Sequence, residues 1–94
     1  LFLINTLSYK SKDQNKFFCD VCEIIVEGVY EAVEDPTNIH EVEAFLEQVC
    51  DYIPFDYYNW CEKIIDKYFE EFVQNIINGY PPKVVCQNMG LCSV

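Results

Sequence analysis

The chain of 94 residues is the length of one domain, near the size at which a lone core stabilises a fold only marginally without covalent links. Sixteen acids against six lysines and no arginine give a net charge of −10 at neutral pH, the wrong sign for a nucleic-acid partner. Six cysteines in so short a chain favour a disulfide framework and an oxidising compartment.

Residues 1–16, LFLINTLSYKSKDQNK, begin apolar and turn polar without periodicity. They are expected to form a flexible N-terminal arm or the remnant of a signal peptide, leaving residues 17–94 as the domain. From Phe17 the pattern is helical: Phe18, Val21, Cys22, Ile25, Val29, Ala32 and Val33 recur every three or four residues and share one face. Pro36 in DPTN ends that helix.

A second helix is predicted from Asn38, with Glu41 completing a capping box, and it would bury Val42, Phe45, Leu46 and Val49 before YIPF breaks it. A third starts near Asp56 and carries Trp60, Cys61, Ile64, Ile65, Tyr68, Phe72, Val73, Ile76 and Ile77. About 20 residues of straight helix would span ~30 Å, so a bend is expected between Tyr68 and Glu71. Gly79 is placed to end it, and Pro82 to start a last short helix carrying Cys86. The fold class is all-α, in four or five amphipathic pieces.

The cysteines invite two other readings. Cys19 and Cys22 form a C-x2-C pair that suits zinc, but a structural zinc site needs a second close ligand pair. Cys50, Cys61, Cys86 and Cys92 are spread apart, and His40 is the one histidine. A thioredoxin-like redox pair would need alternating strands and helices, which the pattern lacks. No G-x-S-x-G and no phosphate-binding loop is present, so neither catalysis nor a cofactor is expected.

Taken together, C-x2-C on the first helix, Cys50 closing the second, Cys61 opening the third in CEKIIDKY, and the terminal PPKVVCQNMGLC resemble the saposin-like family, in its saposin B-type domain. The resemblance covers residues 17–94. It implies bridges Cys19 to Cys92, Cys22 to Cys86 and Cys50 to Cys61, which spacing alone does not choose among fifteen connectivities. It also implies a closed helical leaf whose inner face meets lipid on opening: Val21, Ile25, Val29, Val33, Val42, Phe45, Leu46, Val49, Trp60, Ile64, Ile65, Tyr68, Phe72 and Ile76.

The implied partners are lipid or a membrane, and a second copy of the chain in a homodimer or larger oligomer. The implied setting is secretion or an acidic, lysosome-like vesicle. Amoebapores, pore-forming members of the family, carry a key histidine near the C-terminus, and this chain has none there. Membrane remodelling or fusion is therefore expected ahead of pore formation or service as a soluble lipid carrier for a lysosomal hydrolase.

Charge supplies a reading of its own. Residues 17–94 hold fifteen acids against Lys63, Lys67 and Lys83, a net of −12. Asp20, Glu23, Glu27, Glu31 and Glu34 fall in one arc of the first helix, and Glu43 and Glu47 repeat the spacing on the second. Like charges so placed destabilise an ionised helix by about 0.2–0.5 kcal/mol per pair. A negative membrane repels such a surface at neutral pH, preferring anionic phospholipid contact only after protonation. These seven acids are the expected pH sensors. Acid relieves their repulsion without unfolding the domain, so lipid must supply the reason to open.

Overall fold

In a computed structural model, the backbone is described for residues 2–93 and the side chains for residues 16–93. The expected arm or signal remnant at residues 1–16 lies, in its side chains up to residue 15, outside the described part. Four α-helices and two 3-10 turns follow one another, with no strand among the described residues: α1 (Phe2–Ala32), α2 (Ile39–Leu46), turns at Val49–Tyr52 and Phe55–Tyr57, α3 (Tyr58–Ile77) and α4 (Pro82–Asn88). The backbone of α1 is helical well before Phe17, where the apolar period begins. No glycine precedes Gly28 and no proline precedes Pro36, so nothing in the sequence breaks it.

Asn38 caps α2 as its side-chain oxygen accepts from the His40 and Glu41 amides at 3.0 and 3.2 Å. The capping box is only half made. The Asn38 amide donates to the Asp35 carbonyl at 3.0 Å, so it has no need of the Glu41 carboxylate. Helix α2 is also shorter than its apolar period suggests: Gln48 leaves helical dihedrals (φ −125°, ψ 8°), and Cys50 sits in the following 3-10 turn rather than on α2.

The bend in α3 falls at Tyr68 (φ −118°, ψ 18°), at the start of the expected interval. Past it, Gly79 adopts φ 83° and closes a two-bond cap. Its amide donates to the Ile76 carbonyl at 2.9 Å, and the Tyr80 amide reaches the Asn75 carbonyl at 3.4 Å. Gly90, at φ 78°, ends α4 in the same way through the Gln87 and Cys86 carbonyls.

The core forms where α1 meets α4 on one side and α3 on the other, with α2 laid against α3. Phe72, Ile25, Leu46, Ile76, Val42 and Val85 are among its fully buried side chains, and no buried residue among those described is polar or charged. Polar contacts made by Tyr30 and Asn88 tie the helices outside this core. The Tyr30 hydroxyl on α1 donates to the Tyr80 carbonyl beyond α3. Asn88 of α4 donates to the Asn75 side-chain oxygen at 2.9 Å.

Candidate functional site

Three bridges frame the apolar interior. Cys19 is joined to Cys92 and Cys22 to Cys86, with sequence separations of 73 and 64, so two adjacent links fasten the C-terminal segment along α1. Cys50 is joined to Cys61 and ties the turn after α2 to the start of α3. These are the pairs that the family resemblance implies, and no described cysteine is free.

Between these links the apolar face is closed. Val21, Ile25, Val29, Val33, Val42, Leu46, Val49, Ile64, Ile65, Phe72 and Ile76 are buried against one another. The other three residues expected on that face, Phe45, Trp60 and Tyr68, are half-buried at its margins. Trp60 packs edge-on to Phe17 and Phe18, each with ring centroids 5.2 Å away, and Tyr57 adds a tilted contact to Phe17 at 5.5 Å. These rings join α1 to the start of α3. Phe45 stacks on Tyr52 at 5.4 Å.

The acidic residues lie on the other side of the same helices. Asp20, Glu27 and Glu31 are exposed on α1, as are Glu34 just beyond its end and Glu47 at the end of α2. Glu23 departs from the open stripe, half-buried with a carboxylate oxygen 3.5 and 3.7 Å from the Cys19 and Cys92 sulfurs. Bridged sulfurs carry neither a proton nor a free ligand position, so this trio makes neither a hydrogen bond nor a metal site. Glu43, also half-buried, is 3.9 Å from the exposed His40. Among the described residues no lysine lies within 4 Å of a carboxylate.

The most exposed large apolar side chains among the described residues lie in one turn outside the closed interior. Around the turn joining α2 to α3, Phe55 is 89% exposed and Tyr52 67% exposed, flanked by exposed Asp51 and Asp56. The sequence hides this because YIPF reads as a helix breaker, and a breaker carries no sign of which way its side chains face.

Two family profiles match the chain, saposin-like type B region 1 over residues 17–54 and region 2 over residues 61–92. The chain belongs to the saposin-like family. Among curated proteins it is similar to prosaposin of Gallus gallus, at 32% identity over 75 residues covering 80% of this chain and 14% of that protein. It is 27% identical to saposin-C of Cavia porcellus over 74 residues, covering 79% of this chain and 91% of that one. Prosaposin of Mus musculus is 27% identical over 79 residues, 84% of this chain and 14% of the relative. Against both prosaposins the chain thus spans about a seventh of their length.

Saposin-like family membership supports a lipid-interacting, non-enzymatic role. For such a protein the arrangement has a clear chemical sense. Among the described residues the interior holds no buried polar side chain, so when its walls part the main cost is apolar surface that a lipid can cover again, and the interhelical hydrogen bonds of Tyr30 and Asn88 lie outside it.

Proposed function

We propose that this saposin-like protein binds anionic bilayers at acidic pH, opens there to lay its inner apolar face on lipid, and remodels or fuses the membranes it joins. The observation that carries the reading is the pairing of a closed apolar interior with an exposed acidic face on which, among the described residues, no lysine lies within 4 Å of a carboxylate. At neutral pH a domain carrying −12 is held off a negative surface, because the potential that attracts each cation by about 1 kcal/mol repels each carboxylate. Protonation removes that barrier.

First contact falls to Phe55 and Tyr52, the most exposed large apolar side chains among the described residues. Protonating Asp51 and Asp56 beside them lowers the cost of bringing that turn to the headgroups. The Cys50–Cys61 bridge keeps the turn from fraying as it enters, while the two bridges on α1 keep α4 in place as α2 and α3 swing away. Opened faces not covered by lipid pair between copies as a homodimer or larger oligomer. Secretion or an acidic, lysosome-like vesicle is the matching setting.

Vesicles of phosphatidylserine and phosphatidylcholine, titrated from neutral to acid pH, test this. Binding that appears only in acid, with lipid mixing and no loss of trapped dye, is the expected result. Dye leakage would replace remodelling by a pore, and lipid recovered in the soluble fraction would replace it by a carrier. Equal binding at all pH values would end the acid-switch reading.

A further inference from the structure

The third lysine of the domain, Lys83, stands alone on α4, but Lys63 and Lys67 lie one turn apart on α3 and open onto the same cavity. That cavity holds about 170 Å³. Its walls are Phe18 from α1, Leu91 from beyond α4, and Trp60, Ile64 and Tyr68 from the first half of α3. Of these only Ile64 belongs to the buried core; the rest are half-buried, so the site is present while the domain is closed.

We propose that this cavity binds one molecule of a single-chain anionic amphiphile, a fatty-acid carboxylate or its alkyl sulfate or phosphate equivalent. The chain enters the cavity and the head is held between the Lys63 and Lys67 ammonium groups. The site lies at the margin of the inner face, with which it shares Trp60, Ile64 and Tyr68, but it is present in the closed domain and needs no opening, so it does not rest on the bilayer reading above.

Volume sets the occupant's shape. An apolar cavity of about 150 Å³ takes one benzene-sized guest, so this one admits a single chain segment and excludes a pair of chains side by side. The walls are three aromatic rings and two aliphatic side chains, with no amide, hydroxyl of Ser or Thr, or carboxylate to reward a polar body.

Charge sets its head. Lys63 Nζ lies 5.2 Å from the Trp60 ring centroid and Lys67 Nζ 5.4 Å from that of Tyr68, both within reach of cation–π attraction. The rings hold the ammonium groups over the cavity mouth rather than out towards Glu62, Asp66, Glu70 and Glu71 on the same helix. None of those carboxylates comes within 4 Å of either lysine. Two cations four residues apart also repel each other, a cost that an anion seated between them removes. In a domain so short of cations, placing two of its three at the rim of one apolar cavity fits an amphiphile with a negative head better than any neutral guest.

Trp60 is the one tryptophan of the chain and lines the cavity, so its emission reads occupancy directly. The protein is titrated at one fixed pH with decanoate below its micelle concentration, with decanol, with inorganic phosphate, and with phosphatidylserine vesicles. Decanoate is expected to shift the Trp60 emission and saturate at one molecule per chain, with decanol and phosphate each binding at least about tenfold more weakly, as loss of a charged contact or of the buried chain requires.

The variant Lys63→Gln with Lys67→Gln, both exposed, should lose at least about tenfold for decanoate and nothing for decanol. A second variant, Leu91→Phe, narrows the cavity without touching the charges and should weaken decanoate and decanol together. Decanoate bound no better than decanol, phosphate bound as tightly as decanoate, or a double lysine variant unchanged for decanoate would each overturn the proposal. Vesicle binding, read by sedimentation, separates the two ideas: acid-dependent sedimentation without decanoate binding removes this site alone, and decanoate binding without sedimentation supports it while removing the bilayer reading.

Discussion

The two bridges that fasten the C-terminal segment to α1 should not act independently. Alone, the Cys22–Cys86 link closes a loop spanning a separation of 64 residues, which in the chain-entropy treatment restricts the unfolded state by ~4.3 kcal/mol. With that link in place, Cys19–Cys92 closes only the extra nine residues by which its separation of 73 exceeds 64. A loop so short is worth ~2.6 kcal/mol. By symmetry, either bridge costs ~2.6 kcal/mol to remove while its neighbour stands, and removing both costs ~6.9 kcal/mol. The loss for both should therefore exceed the sum of the separate losses by about 1.7 kcal/mol. Urea denaturation of the wild type, Cys19→Ala with Cys92→Ala, Cys22→Ala with Cys86→Ala, and the fourfold variant measures this coupling, with sucrose added where a variant is unfolded in buffer. Lost sulfur packing enters each pair deletion and the fourfold variant alike, so it largely cancels from the cycle. Losses that add to within about 0.5 kcal/mol would refute the nested-loop account.

Changing Glu23, Glu27 and Glu31 together to Gln should move vesicle binding to higher pH than in the wild type, by a margin that salt narrows because exposed charges are screened over about 10 Å at 0.1 M. Identical pH profiles for the two folded proteins would leave α1 a solvated face with no part in switching. Burial pushes the Tyr30 phenol above its ordinary pKa, so its contribution to stability is complete below about pH 10 and is lost as pH rises through the folded value. The stability gap between wild type and Tyr30→Phe should accordingly shrink in alkali, and a constant gap up to pH 11 or so would count against that cause. The Thr37 hydroxyl, and then its amide, donate to the Asp35 carboxylate at 2.6 and 3.0 Å and hold its pKa below the ordinary value. That stabilisation is present above about pH 4 and is lost as pH falls through the folded value. Thr37→Val should raise the Asp35 pKa followed by NMR, and an unchanged titration would show that the hydroxyl is not the cause.

Much of the fold was legible because local signals agreed with one another. The apolar period on α1 and α3, Pro36, Gly79 and Pro82 each mark a boundary or a face by a rule that needs no tertiary partner, and the bend at Tyr68 followed from length alone. Gln48 carries no such signal. The chain breaks there in the absence of proline or glycine, in the segment fastened through Cys50 to Cys61. The pairing of the cysteines came from family resemblance, since spacing does not say which helices meet. Site residues divide in the same way. The buried stripe could be read from periodicity, whereas the cavity under Lys63 and Lys67 joins Phe18, Leu91 and α3, residues that only the folded chain brings together. Trp60 shows the difference most plainly, because the helical pattern places it on α3 while only the folded chain shows that its neighbours are Phe17 and Phe18.

The bridges also determine what happens to this molecule when its backbone is cut. Residues 22–86 form a covalent ring closed at Cys22–Cys86, and Cys50–Cys61 pinches off a smaller ring inside it. One cleavage anywhere in the large ring frees no fragment, because both new ends remain attached through sulfur. The exposed side chains Tyr52 and Phe55, where a protease finds easy access, lie within the small ring. Even two cuts there remove only the few residues between them and leave α2 and α3 joined. The part of the chain most open to proteolysis is thus the part whose loss detaches least.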